Sequence, residues 1–506
     1  MIKMVFKRFL TQKVTNKTIF NMLFYAAIIL FCFICGRRFL YSSGLFMDNL
    51  EHIHASWLIS EGFTPYRDFF EHHNPLLWYI FAPIVKFFGR QPIEIVYISR
   101  IIAILGYIYT LFLLYKVTVK YTNDKNLAKV SVLLCMSYPV IWYEVQNLRP
   151  DIFMYVFILM SLNYIFDYLD NHKTEYLCLS YFSLLIAFLF LQKTILYGFG
   201  FVVANVILIY KRKIYIKDVL YAILVPLFLI GILILILSKE QILYDWFYYN
   251  FTFNNYLVGY YKSGYYINST MCLLAMLIIR YYKPTDKGNI LFATWIMAFW
   301  GIVYFAPHSH YYFFYFILTM LLLSPCLKKL FIKQFMFFVL VIFFLLLSSF
   351  NRLYERGNRL HSHLNIIEYI VENSAKEDKL LNSHYPYNIF NFDTNFYWFG
   401  FHNIVIINDL FTDSSFNYNE EIKTSKPKFI FINNNLFDKT ALKNSNWLHW
   451  RNSLILKKAS KGNLSYLEKI TEIVYDYWNV DMNFIQENYQ FVESFNETEL
   501  WQRIDN

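Results

Sequence analysis

Apolar runs of about 18 residues recur along this 506-residue chain from residue 19 to residue 350, separated by short polar and basic stretches. Runs of that length are long enough to cross the roughly 30 Å hydrocarbon core of a bilayer as a helix. The runs cover 19–36, 97–119, 127–145, 149–169, 175–191, 193–210, 216–237, 268–282, 290–306, 309–327 and 333–350. One further apolar piece, Pro75 to Phe88, has only about 14 residues, the length of a re-entrant or interfacial segment. After residue 350 the pattern changes. Short β-rich pieces such as Phe429 to Asn433 and Asn403 to Asn408 mix with a helical stretch near His363 to Asn373. The expected architecture is an α-helical polytopic membrane protein with about eleven transmembrane helices over 1–350. A small soluble α/β domain over 351–506 follows it.

Charge placement sets the expected orientation. If Pro75 to Phe88 does not cross, the groups Lys116/Lys120/Lys125/Lys129, Lys211/Arg212/Lys213/Lys217, Arg280/Lys283/Lys287 and Lys328/Lys329/Lys333 all face the cytoplasm, as the positive-inside bias requires. The basic segment Met1 to Thr18 precedes Ile19 to Gly36, which ends in Gly-Arg-Arg without a small-residue cleavage site. It reads as an uncleaved signal anchor with a cytoplasmic N-terminus. The loops 37–96, 145–149, 238–267 and 307–310 and the domain 351–506 then lie outside the cytoplasmic (inner) membrane.

Composition agrees. The chain is 57% hydrophobic and 16% charged, against about a quarter charged in soluble domains, which excludes an ordinary cytosolic enzyme. Its 15 Gly, 12 Pro and 6 Cys exclude collagen-like, disordered and disulfide-scaffold classes. The net charge of +10 lies in short clusters between apolar runs, so it sets topology and does not indicate nucleic acid. Cys32-x-x-Cys35 reads as helix packing.

The candidate chemistry gathers on the outer face. The first outer loop holds Asp48, Glu51, Asp68 and Glu71 with four histidines. On a helix, Asp48, Glu51 and His52 share one face, while Leu50, Ile53, Trp57 and Leu58 form an apolar stripe, so the helix is expected along the membrane surface. A partly desolvated carboxylate there suits a general base that activates a hydroxyl. The same residues fit ordinary solvated acids on an interfacial loop equally well. Arg149-Pro-Asp151 opens a span, where ionisable groups are costly enough to be functional candidates or to form a surface pair. Lys193 is a lone cation between two apolar runs and by itself reads as snorkelling to the interface. His308 and His310 sit in an outer turn. His-x-His recurs at 52/54 and 361/363 and is weak as a metal signal, since a two-residue spacing suits a strand. Together Lys193, Arg149, His308 and His310 with Asp48 and Asp151 suit a lipid phosphate as leaving group and a hydroxyl acceptor.

The order Asp48, amphipathic helix, Gly62-x-x-Pro-Tyr-x-Asp68, His73-Asn-Pro-Leu-x-x-Tyr79 resembles the first periplasmic loop of the GT-C glycosyltransferase superfamily. The likeness is greatest to bacterial relatives of protein O-mannosyltransferases and of the lipid A aminoarabinose transferase. Phe190-Leu-Gln-Lys-Thr194, Arg149-Pro-Asp151, Pro307-His-Ser-His-Tyr311, Tyr489 to Ser494 and Leu500 to Arg503 are similar to further elements of that family. The sequence departs from it at Asp48-Asn49, where the family often has Asp-Glu, and at His73-Asn74-Pro75, where it has His-Pro-Pro.

The resemblance implies a GT-C catalytic domain over 1–350 with juxtamembrane helices in the loop 37–96. It implies transfer of a sugar from a polyprenyl-phosphate donor to a glycolipid, polysaccharide or protein hydroxyl, as in building a cell-envelope glycan such as lipopolysaccharide. Asp48 is then the catalytic or acceptor-orienting carboxylate. Lys193, Arg149, His308, His310 and Tyr311 are placed at the donor phosphate, and Glu51, Asp68, Glu71, His73 and Asp151 at the sugar and acceptor. No tightly bound cofactor or metal is expected, a divalent metal is allowed but not required, and neither a phosphate-binding loop nor a dinucleotide fingerprint is present. A flippase of a lipid-linked sugar, or an oligosaccharide ligase or polymerase, is the alternative.

Overall fold

The computed structural model describes residues 16–41, 47–136, 145–255, 275–280, 282, 284–305, 314–325, 359–382, 387–396, 398, 417–433, 480–495 and 498–505. The helices are α1 (Asn16–Tyr41), α2 (Met47–Ser60), α3 (Leu76–Phe88), α4 (Pro92–Thr122), α5 (Lys125–Met136), α6 (Pro150–Asn171), α7 (Thr174–Phe190), α8 (Thr194–Tyr210) and α9 (Ile216–Lys239). A short α10 (Leu243–Phe247) runs into a π-helix (Tyr248–Phe253), and α11 (Asp286–Phe305) and α12 (Phe314–Pro325) are the last bundle helices among the described residues. Among the described residues, α4, α6 and α9 are long and apolar enough to cross a membrane, and α3, α7, α8, α12 and the Phe24–Arg37 part of α1 are shorter apolar helices. The predicted strand at 403–408 and the span at 333–350 lie outside the described residues.

Local sequence explains the breaks. Pro92 and Pro150 occupy the first turns of α4 and α6, where a missing N–H costs nothing. Asn123 and His172 end those helices in the left-handed conformation. The apolar Pro75 to Phe88 run is the 13-residue α3, stopped by Gly89 at φ 61°. It is the short helix expected from its length.

The bundle is layered around α6. In its most apolar stretch 67% of α6 is buried, against 11% for α9, so α6 is central and α9 presents Leu220, Leu224, Phe228 and Leu235 outward. Close helix contact occurs where α8 crosses α11. A Cβ at Gly200 would lie 2.9 Å from the Ala293 carbonyl, so only glycine fits there. At the far end of α6, Lys120 pairs with Asp167 at 2.6 Å, Lys287 with Asp170 at 2.7 Å, and Tyr168 donates to Asp218 at 2.8 Å. The opposite end, where α6 and α8 begin and α7 stops, carries the candidate site.

The C-terminal part is a mixed five-stranded sheet of order β2-β1-β3-β5-β4, with β1 (Lys379–Leu381), β2 (Phe392–Asp393), β3 (Phe429–Asn433), β4 (Tyr489–Phe495) and β5 (Thr498–Arg503). β1 runs parallel to β2 and β3, while β5 pairs antiparallel with β3 and β4. The helices α13 (Arg359–Glu372), α14 (Tyr418–Ser425) and α15 (Met482–Asn488) accompany it. The expected α/β character holds, with β3, β4, β5 and α13 at the predicted places. One apolar core joins this sheet to the first loop: Leu50, Ile53, Trp57 and Trp78 pack in the same cluster as Leu360, Leu364, Ile389, Phe390 and Trp398.

The surface helix expected over Leu50 to Leu58 is therefore a core element. Every residue of α2 from Asn49 to Leu58 is buried, polar face included. Its polar side chains are covered by α3, the 145–149 turn and the C-terminal sheet, each of which supplies a partner.

Candidate active site

The N-terminus of α2 meets the N-terminus of α6. Arg149 pairs through Nη1 with Asp48 and through Nε with Asp151 at 3.3 Å. Lys193, in the turn between α7 and α8, lies 3.7 Å from Asp151. Four charges of alternating sign, predicted separately from three stretches of sequence, thus form one chain: Asp48, Arg149, Asp151, Lys193. Asp48 keeps 35% of its side-chain surface exposed and Asp151 only 4%, so Asp48 is the accessible end of the chain. Burial lowers the Lys193 ammonium from the usual lysine range, with Arg149 adding to the effect and Asp151 opposing it.

Asn49 fixes the approach of these two termini. Its Oδ1 accepts the Leu148 backbone N–H at 2.9 Å, so the residues flanking Asp48 and Arg149 are bonded to each other. In the sequence Asn49 stands out only as a departure from Asp-Glu. An amide oxygen serves the backbone N–H there without adding a charge to a buried position.

A second cluster adjoins the first. Glu51 on α2 and Glu71, His72 and His73 on the following loop each offer a ligand atom, all within 4.8 Å of one another. Burial, and then the neighbouring Glu71, push the Glu51 carboxyl well above the usual range, and burial does the same to Glu71. His72 is lowered to about 3 by burial and by the nearby Lys193, and His73 is lowered by burial, then by the neighbouring His72, His52 and Lys193. His52 is likewise lowered to about 3 by burial, and Trp78 Nε1 donates to its Nδ1 at 3.0 Å, which puts the proton of the neutral ring on Nε2.

Two acids and two neutral imidazoles form a mixed O/N donor set that suits zinc or manganese. Both Glu71 oxygens, Glu51 Oε1 and His73 Nδ1 are buried without a well-formed hydrogen bond among the described residues, as open ligand positions would be. No metal ligand is expected from the sequence, where only spaced His-x-His pairs stand out; these donors come from adjacent loop residues and a helix that folds over them.

The loop carrying Glu71 to Asn74 is clamped from several sides. Gln192 Nε2 and Asn254 Nδ2 both donate to the His72 carbonyl, at 2.9 and 2.7 Å. Asn74 Nδ2 donates to the Phe188 carbonyl at 2.5 Å, and its Oδ1 accepts from Trp246 at 3.0 Å. Tyr66, in a left-handed backbone conformation at φ 70°, donates to the His73 carbonyl at 2.5 Å. Gln192, Asn254 and Trp246 were not singled out by sequence.

Asp68 stands apart. It caps its own turn by accepting the Thr64 N–H at 2.7 Å and pairs with Arg67 at 3.0 Å, which holds its carboxyl below the usual range despite partial burial. The structure does not bring it to either cluster. His308, His310 and Tyr311 lie outside the described residues.

A membrane-type helical bundle with a charged cluster at the mouth of its central helix, roofed by a small α/β sheet, defines a class of polytopic membrane protein. Residues 72–238, about a third of the chain, match the model of the family described as dolichyl-phosphate-mannose-protein mannosyltransferase. Among solved structures, the chain is similar to ArnT from Cupriavidus metallidurans, a structure bound to undecaprenyl phosphate. The identity is 9%, the TM-score is 0.46, and the alignment covers 71% of this chain and 73% of that one. None of the curated proteins matches the chain.

The paired acids carry a pH signature. Glu51 and Glu71 hold protons in the folded protein at pH values where the unfolded chain, with ordinary carboxyls near 4.5, has lost them. The native state then binds more protons, so stability is full below about 4.5 and falls as pH rises toward the raised native values. The slope approaches about 1.4 kcal/mol per pH unit for each proton retained. In chelator, the melting temperature of the purified protein should fall over that window, and Glu71→Gln should flatten the fall. Zinc or manganese should restore stability at pH 8 in the wild type but not in Glu71→Gln. A melting temperature independent of pH and of metal would refute the assignment.

Proposed function

We propose that this protein transfers a sugar from a polyprenyl-phosphate donor to an acceptor hydroxyl at the outer face of the cytoplasmic membrane. The observation that carries the reading is the chain Asp48–Arg149–Asp151–Lys193, in which two cations and an accessible carboxylate sit together at the mouth of the bundle.

The division of labour follows from charge and exposure. The donor phosphate binds Lys193 and Arg149, competing with Asp48 for the guanidinium. Asp48, released from Arg149, accepts the proton of the acceptor hydroxyl as its oxygen bonds to the anomeric carbon. The bond from that carbon to the phosphate oxygen breaks, and the electron pair leaves with the lipid phosphate, whose added charge the two cations stabilise. Asp151 holds both cations in place. Glu51, Glu71, His72 and His73 would hold a divalent cation, which would supply further positive charge beside the phosphate. The acceptor is a glycolipid, a polysaccharide or a protein of the cell envelope.

The test is a panel of polyprenyl-phosphate sugars incubated with the purified protein, with sugar release and transfer read by mass. Transfer from one of them is the expected result. Labelled donor that crosses proteoliposomes without being consumed would make the protein a flippase.

A further inference from the structure

The α2 helix carries Asp48 at one end and His54 six residues on, and the two ends face different parts of the molecule. His54 Nε2 lies 2.8 Å from Asp393 Oδ2 of strand β2, and its side chain has no exposed surface. The ring stacks on Trp57 and meets Trp398 edge-on, with centroids 5.5 and 4.4 Å apart. Asn388 donates through Nδ2 to Asp393 Oδ1, and Asn382 donates to Asn388 Oδ1 at 2.7 Å. Among the described residues His54 Nδ1 is buried without an acceptor, so the proton this geometry accommodates is on Nε2, directed at Asp393.

Adhesion of the sheet does not depend on this network. The interface has an apolar core, and it is also tied by Arg90 to Ser374 at 2.7 Å, by Lys376 to Glu61 at 2.8 Å and by the Phe70 N–H to the Phe396 carbonyl at 2.8 Å. A buried carboxylate and imidazole add desolvation cost to such an interface, and what they supply best is a unique register. On α2, that register fixes the helix's rotation and its position along its axis. Beyond His52, which Trp78 holds, Asn49 and Asp48 are polar anchors further along the same rigid element.

We propose that His54, Asp393 and Asn388 are positioning residues through which the C-terminal sheet sets α2, and thereby places Asp48 against Arg149. The inference rests on the reading of Asp48 as the acceptor-side carboxylate. The C-terminal sheet is thus part of the catalytic assembly through its hold on α2.

The experiment uses the full chain. Asp393→Asn sets an amide N–H2 against that of Asn388 and should lower kcat about tenfold while the donor KM stays within about twofold, as expected for a misplaced catalytic group. The exchanged pair Asn388→Asp with Asp393→Asn restores a donor for every acceptor and should recover most of kcat. His54→Gln, which keeps an N–H near the Nε2 position, should be milder than His54→Ala. Hydrogen exchange of the α2 amides, measured without substrate, should rise in Asp393→Asn and return in the exchanged pair. Unchanged α2 exchange in Asp393→Asn, or a loss of yield and melting temperature with unchanged kcat per folded molecule, overturns the inference. Because exchange needs no turnover, it stands apart from the Asp48 reading, which fails separately if Asp48→Asn is fully active.

Discussion

Replacing Asp48 by Asn should reduce sugar transfer by about 10²–10⁴-fold, the range associated with loss of a positioned general base. That corresponds to about 3–5 kcal/mol of transition-state stabilisation. The fold should survive, for three reasons. Asp48 is partly exposed, so its pair with Arg149 contributes no more than about 1 kcal/mol after solvent screening. Arg149 keeps Asp151 as a partner at 3.3 Å. Asn49, which ties α2 to the 145–149 turn, is untouched. The loss should appear in kcat with donor affinity retained or improved, because the guanidinium no longer has to leave a carboxylate to reach the phosphate. Equal turnover by Asp48→Asn in a folded protein would remove the carboxylate from the mechanism.

The parts legible in the sequence are those in which one segment alone decides the outcome. A bilayer imposes a minimum apolar length, so α4, α6 and α9 announce themselves, and Pro75 to Phe88 is too short and becomes α3. Strand β3 is legible as a short continuous apolar run, buried from Phe429 to Ile432, whereas β4 and β5 were expected from the resemblance. The α2 helix shows where this reasoning stops. Hydrophobic periodicity reports that Leu50, Ile53, Trp57 and Leu58 face something apolar. It is silent on whether the opposite face meets water. Here that face meets Trp78, Glu71 and Asp393, which lie on three other elements, so a helix expected on the membrane surface lies inside the protein.

The site divides in the same way. Asp48, Arg149, Asp151 and Lys193 could be named because isolated charges beside apolar runs are conspicuous. That they share one chain of contacts is a property of how α2, α6 and the α7–α8 turn converge. Asp68 was as conspicuous as Asp48, yet it closes a local turn with Thr64 and Arg67. Residue type alone does not distinguish an acid that caps its own loop from one that reaches across the bundle. Gln192, Asn254 and Asn74 were illegible for another reason. Their roles are hydrogen bonds between side chains and the backbone of distant segments, and an Asn or Gln beside an aromatic run has no signature of its own.

Lys193 supplies the second large effect and its own pH test. Lys193→Ala should lower kcat/KM for the donor by about 10²–10³-fold, the magnitude found when one preorganised charge-stabilising group is removed. Most of the loss should be in kcat, since the phosphate gains charge as the sugar departs. Asp151 is nearly buried, but it retains Arg149, so the variant does not leave an isolated buried carboxylate. The sign of the pH dependence follows from burial. The native ammonium loses its proton below the ordinary lysine value of 10.5, so the donor-binding form is complete at low pH and is lost as pH rises through the lowered value. The alkaline limb of kcat/KM should therefore fall earlier than an exposed lysine would allow. Lys193→Arg keeps its charge throughout that range, because a guanidinium does not deprotonate there. It should remove the limb even if its bulkier head lowers the maximum rate. An alkaline limb unchanged by Lys193→Arg would assign the titration to another group and leave the lysine without a role at the phosphate.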